Sequence, residues 1–262
     1  MREYLRLLGV FFKISFQDDA AYRGEFWMRL AATLYSLAGA FVGIWIFFSH
    51  TDRIAGWTVD EVVILLGAFH IVAGVIRTVL GPSFERIVEE VREGTLDFVL
   101  TKPASSQFLV SFRRIVSAAA MECLMGAGLV GYGISRLSQQ TGLYTAFAFA
   151  FALACGLAVL YSFWLFLNTL VFWFVRIDNV TQIFWALFEA GRYPLDIYPG
   201  WLRVLVTYIV PVGVVTTFPA QGIAGRLAPA SLLWYAAAAA LSLYISSRFW
   251  RFGVAHYTSA SS

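Results

Sequence analysis

Long uncharged runs alternate with short polar breaks along this chain. Residues 30–51, 62–76, 137–175, 204–225 and 227–247 contain no Asp, Glu, Lys or Arg. An α-helix rises about 1.5 Å per residue, so about 20 apolar residues cross a hydrocarbon core of about 30 Å. These runs are apolar on every face, not along one stripe, as expected of helices surrounded by lipid or by other apolar helices. They predict six membrane spans, near 26–49, 59–80, 108–135, 143–167, from 180 onward, and 230–247. The run 137–175 is too long for one straight crossing. It is expected to tilt, to break near Asn168-Thr169, or to extend along the interface.

Two segments depart from this pattern. In residues 1–22, Arg2, Arg6, Gly9, Lys13 and Gln17 recur at three- and four-residue steps, with apolar positions around them. This predicts an amphipathic helix lying in the headgroup plane, its basic side toward anionic lipid. In residues 191–225, Pro194, Pro199, Pro211 and Pro219 follow one another closely, with Trp201 among them. Proline removes a helix donor, and irregular backbone at membrane depth survives only within protein or beside water. The segment is therefore expected to be a re-entrant hairpin of two short helices on the outer side. Length alone also permits a seventh crossing there.

Composition agrees with a polytopic membrane protein: 60% of the 262 residues are hydrophobic and only 13% are charged. A soluble domain averages roughly 25% charged residues. The net charge of +3 comes with no dense basic tract, which argues against a nucleic-acid partner. With the amino terminus inside and six spans, the inside receives Arg2, Arg6, Lys13, Arg23, Arg29, Arg77, Arg86, Arg92, Lys102, Arg113, Arg114, Arg176, Arg248 and Arg251. The outside keeps Arg53, Arg136, Arg192, Arg203 and Arg226. Positive charge gathers on the cytoplasmic side, so both termini are expected there.

The insert at 81–107 concentrates charge. Within FERIVEEVREG, Phe84, Ile87, Val88 and Val91 lie three or four apart, while Glu85, Glu89, Arg92 and Glu93 share the other side. The pattern predicts a short amphipathic helix over 84–93, ended by Gly94 in the left-handed conformation. Thr95 is expected to cap a new turn at Leu96-Asp97. An apolar stripe on a cytoplasmic loop has to be buried somewhere, and a partner surface is the economical expectation.

VREGTLDFVLTKPASSQFLVSFRRI resembles the cytoplasmic segment of type-2 exporter permeases in the ATP-binding-cassette (ABC) transporter superfamily. Glu93, Gly94-Thr95-Leu96, Pro103 and Arg113-Arg114 carry the likeness. RYPLDIYPGWLRVLVTYIVP is similar to that family's proline-bearing extracellular hairpin, and the amino-terminal helix is a third point of likeness. The resemblance implies an all-α integral membrane fold over a single permease domain, 1–262, in the cell membrane. It implies a separate ABC ATPase subunit, which would bring ATP and Mg, since this chain has no phosphate-binding loop. It also implies a second permease chain, identical or related. The helix Phe84–Glu93 would be the coupling element. Glu89, Glu90, Arg92 and Glu93 would make its polar contacts to the ATPase, Phe84, Ile87 and Val91 its apolar ones, and Gly94-Thr95 its end. Outward transport of a lipid, glycan or other amphipathic molecule is the implied activity, with no catalysis in this chain.

His70, Glu122 and Glu189 are ionisable residues placed within predicted spans two, three and five. Charge there is costly, so each is either a functional group or a neutral, hydrogen-bonded bundle residue. A proton-coupled secondary transporter or channel would use such groups without an ATPase. It would often show an inverted repeat, and none is visible. No spacing of His and Cys suggests a metal site.

Overall fold

The computed structural model describes residues 2–21, 23–137, 142–174 and 178–257. The turn expected at 138–142 lies largely outside these, as do Arg176 and the last five residues. The described chain is helical throughout; a lone bridge pairs Ile54 with Trp57. Its α-helices are α1 (Arg2–Ala21), α2 (Arg23–Phe48), α3 (Val59–Val75), α4 (Gly81–Glu93), α5 (Asp97–Leu100), α6 (Ser106–Phe112), α7 (Ala120–Arg136), α8 (Leu143–Thr169), α9 (Asp178–Phe188), α10 (Gly200–Val204), α11 (Val212–Val215), α12 (Thr217–Ile223) and α13 (Pro229–His256). Asp178, expected in a loop, begins α9. Five stretches are long and apolar enough to cross a membrane: Phe26–Phe48, Val59–Glu93, Ser117–Arg136, Leu143–Phe172 and Pro229–His256. A sixth, bent stretch joins Gly200–Ile209 to Val212–Ile223 at 71°.

Helix α3 is the centre of the bundle. Of its most apolar stretch 78% is buried, against 17% for those of α2 and α13. It starts on a capping box: Glu61 N–H donates to Thr58 Oγ1, and Thr58 N–H donates back to Glu61 Oε2 at 2.8 Å. Its partner α7 lies so close that side chains are excluded. A Cβ added at Gly126 would meet the Gly67 carbonyl oxygen at 2.6 Å, and one at Gly74 would meet the Cys123 amide at 2.7 Å. Gly67 and Gly74 are one heptad apart, as are Gly126 and Gly133, so both helices present a small-residue stripe.

The second predicted span does not stop at Leu80. A π-helical turn, Ile76–Leu80, carries α3 directly into α4, giving one rod of 35 residues, Val59–Glu93. Its length, about 52 Å by helical rise, exceeds a hydrocarbon core by about 20 Å. Pro82 explains the turn. It has no N–H, and its ring crowds the carbonyl four residues back, Thr78. That carbonyl accepts instead from Val116 N–H at 2.8 Å.

Val116 is free to donate because the third predicted span is broken. Residues 113–116 are non-helical between α6 and the turn Ser117–Ala119, so the apolar crossing begins at Ser117 and not near 108. Helix α6 packs beside α4, and its polar residues find partners on α8 and α13. Gln107 donates to Tyr161 and Ser247, and Trp250 donates to Ser106. The long fourth run ends as expected near Asn168-Thr169, with a 3-10 turn at Leu170–Phe172.

From the end carrying α4–α6, α9 and the 3-10 turn Glu189–Arg192 climb the bundle. Phe184 edges onto Trp164, Phe188 stacks on Phe69 at 4.8 Å, and Arg192 donates to Ser36. The segment that follows begins and ends beside the turn between α2 and α3. At its start, Asp196 accepts from Trp57 Nε1 at 2.9 Å; after it, Arg226 donates to both Glu61 oxygens at 2.7 and 2.6 Å. We call this the hairpin end and the opposite one the insert end.

Candidate functional site: the insert end and a buried ion cluster

At the insert end α4 stops as its sequence requires. Gly94 takes φ 69°, left-handed, and its N–H reaches back to the last-turn carbonyls. Thr95 does not cap the next turn. Leu96 stands at that position without a side-chain bond, and Thr95 Oγ1 is buried without a partner. The backbone does the work instead: the N–H groups of Thr95 and Leu96 both donate to the Glu90 carbonyl.

The apolar stripe of α4 is buried within its own chain. Phe84 and Ile87 are 1% and 0% exposed, and Phe84 stacks on Trp164 with centroids 5.9 Å apart. They are therefore not open to an ATPase groove; Val91 is half-buried. Helix α8 supplies the covering surface that the sequence alone could not name. Glu90 is turned inward too, accepting from Arg113 at 2.7 Å and Arg86 at 3.2 Å, which ties α4 to the end of α6. Arg86 also bonds Glu89. Glu89, Arg92 and Glu93 remain exposed. Between Gly94 and Pro103 a residue missed by periodicity stands out: Phe98 is 74% exposed while its neighbours Leu96 and Val99 are buried. Its four-residue helix is too short for a hydrophobic stripe to signal it.

The three intramembrane candidates separate into two groups. His70 and Glu122 meet: His70 Nδ1 lies 3.1 Å from Glu122 Oε1. Arg77, from the π-helical turn, donates through Nη1 to both Glu122 oxygens at 3.1 and 2.9 Å and rests over the Trp185 ring. A carboxylate clamped by arginine is an acceptor only, so His70 carries its proton on Nδ1. Its Nε2 is then buried without a partner. Glu122 lies in the first turn of α7, just beyond the break in the third span. Glu189 stands apart, paired with Arg192, whose guanidinium also covers Phe69.

At the hairpin end Pro194 and Pro199 flank the turn Leu195–Ile197, Pro211 follows a second π-helical turn, Leu205–Ile209, and Trp201 is 70% exposed. Tyr198 donates to the Ala190 carbonyl at 2.9 Å, and burial pushes its phenol up to about 12. Among the described residues no group of His, Cys, Asp and Glu is placed to hold a metal.

The all-helical fold and its apolar spans define a multi-pass membrane protein. Residues 34–261 match the model of the family described as ABC-2 family transporter protein, and the chain belongs to that family. No curated protein and no solved structure matches it. Membership implies a permease subunit that pairs with an ABC ATPase subunit.

Proposed function

We propose that this chain is the transmembrane subunit of an ATP-driven exporter in the cell membrane, acting as a pair of permease chains with a separate ATPase that binds the nucleotide. The observation that carries the reading is the unbroken rod Val59–Glu93, which joins the centre of the bundle to an exposed charged tip. Both termini and the insert end are cytoplasmic, as the lysine and arginine count favours. The hairpin end is outside, and the bent pair Gly200–Ile209 and Val212–Ile223 is re-entrant, not a crossing. Closure of the ATPase dimer moves the tip, and the rod transmits that movement to α7 and α9. The cargo is an amphipathic molecule.

The docking surface is the tip itself. Phe98 is its aromatic anchor, with Glu89, Glu93 and Lys102 as the surrounding polar contacts. Phe98→Ala and Phe84→Ala separate docking from folding. F98A is expected to leave the unfolding temperature unchanged and lower co-purification of the ATPase at least about tenfold, the effect of losing a buried aromatic anchor. F84A is expected to lower stability by about 3 kcal/mol. Full ATPase binding and full transport-linked hydrolysis in F98A would sink the assignment. A proton-coupled mechanism would draw on His70 and Glu122, but both oxygens of that carboxylate are already engaged by Arg77.

A further inference from the structure

An open cavity of about 450 Å³ at the insert end is lined by Arg86 and Glu90 of α4 and by Arg113 and Arg114, which follow α6. The apolar crossing of the third span begins at Ser117, so both arginines stand just outside it, where helices leave the hydrocarbon and meet the lipid head groups. The charges here do not balance. Arg86 and Arg113 both reach Glu90 through one oxygen, Oε1, and Arg86 also holds Glu89. Arg114 bonds Ser83 through its backbone, and among the described residues its exposed guanidinium has no hydrogen-bond or ion-pair partner. Three guanidinium groups thus meet two carboxylates, and the charge left over is on Arg114.

A second imbalance lies beside the first. Glu90 is 4% exposed, and its Oε2 is buried without a donor. A buried carboxylate oxygen left so is costly, and nearly all such groups in folded proteins have a partner. Among the described residues none supplies one, which leaves a donor from outside, entering by the cavity that Glu90 lines. A cation would be repelled there by Arg86 and Arg113, so the fitting donor is uncharged, a hydroxyl. We propose that the cavity binds the head of an anionic phospholipid whose phosphate is esterified to a hydroxylated alcohol such as glycerol. Arg114, with the donors of Arg113 that Glu90 leaves free, holds the phosphate oxygens in the forked geometry that guanidinium groups offer. A head-group hydroxyl donates to Glu90 Oε2. The volume suits a head group alone, and the tails stay in the bilayer. The site needs only the membrane boundary and is separate from the Phe98 surface, so it fails or stands apart from the proposed export.

Binding to the purified protein in a neutral detergent tests it, with dihexanoyl phosphatidylglycerol, phosphatidylmethanol and phosphatidylcholine and soluble glycerol 3-phosphate as probes. Phosphatidylglycerol is expected to raise the unfolding temperature, and phosphatidylcholine, neutral overall, to leave it unchanged. Phosphatidylmethanol keeps the phosphate charge without the hydroxyls. It is expected to bind at least about tenfold more weakly, the cost of one hydrogen bond to a charged group. Arg114→Gln is expected to weaken phosphatidylglycerol binding by a similar factor. Arg251→Gln, which removes an exposed charge from the same end without touching the cavity, is expected to bind as the parent does. Equal losses in the two variants, or none in R114Q, would overturn the site. Equal binding of the glycerol and methanol lipids would overturn the bond to Glu90. Glycerol 3-phosphate binding as strongly as the lipid would overturn the membrane as its source.

Discussion

Glu122 is held by three neighbours of different kinds, and that decides how the bundle tolerates it. Arg77 balances its charge, His70 takes its remaining acceptor direction, and Trp185 covers the arginine. Glu122→Ala leaves a guanidinium uncompensated. Breaking a buried pair costs about 3–5 kcal/mol, and Arg77 is exposed enough to place the loss at the lower limit, about 3 kcal/mol. The double variant Arg77→Met, Glu122→Met removes both charges and is expected to regain more than half of that loss in thermal unfolding. A double variant less stable than E122A would show that the pair is not the source of the effect. The sequence marked His70 and Glu122 as costly residues, but not their meeting. They are 52 positions apart, and Arg77, which completes the cluster, had been counted only as a cytoplasmic charge. Gly94 was legible because its φ follows from local geometry alone.

At the scale of elements, the contact between α3 and α7 depends on missing side chains. Gly126 and Gly128 sit two residues apart on one helix, so they form an internal control. A Cβ at Gly126 would collide with the α3 backbone, whereas one at Gly128 would meet nothing within 4 Å. Gly126→Ala is expected to destabilise by about 1–3 kcal/mol through overpacking. Gly128→Ala is expected to stabilise by up to about 1 kcal/mol through helix propensity. Equal effects in thermal unfolding would mean that the close approach is not made. Helix positions were readable from uncharged runs, because lipid imposes them. Helix boundaries were not. The second span was expected to end at Leu80, yet a π-helical turn carries the helix on past Pro82, and the Thr78 carbonyl that the proline displaces finds Val116 on another element. The break at 113–116 is equally non-local: it exists because α6 finds better company against α8 and α13 than in line with α7.

At the scale of the whole molecule, the two ends differ in what they offer to water. The insert end presents Phe98 among charges, and the hairpin end presents Trp201 near a network linking Trp57, Asp196, Arg203, Glu61 and Arg226. Single cysteines test the sidedness assigned to them. With Cys123 and Cys155 replaced by Ala, Phe98→Cys is expected to react with an impermeant maleimide only from the cytoplasmic face. Trp201→Cys is expected to react only from the outer face. Each reacting only from the opposite face would reverse the proposed topology, and both reacting from one face would overturn it. Apolar content and the charge asymmetry made the membrane fold legible early. That Trp164 and Phe184 are buried core was not legible, because position in a sequence does not reveal which helix lies at the centre.

The link from Glu61 to Arg226 also bears on how the protein is made. The two residues are 165 positions apart, and Glu61 is 7% exposed in the finished structure. During synthesis the carboxylate at the head of the second span therefore enters the membrane long before its guanidinium has left the ribosome. Until the chain reaches Arg226 the bundle carries an unmatched charge at its centre-most helix, and its last loop supplies the closing piece. The tie that fastens the head of α3 is thus among the last to form, and a chain interrupted before Arg226 would lack it.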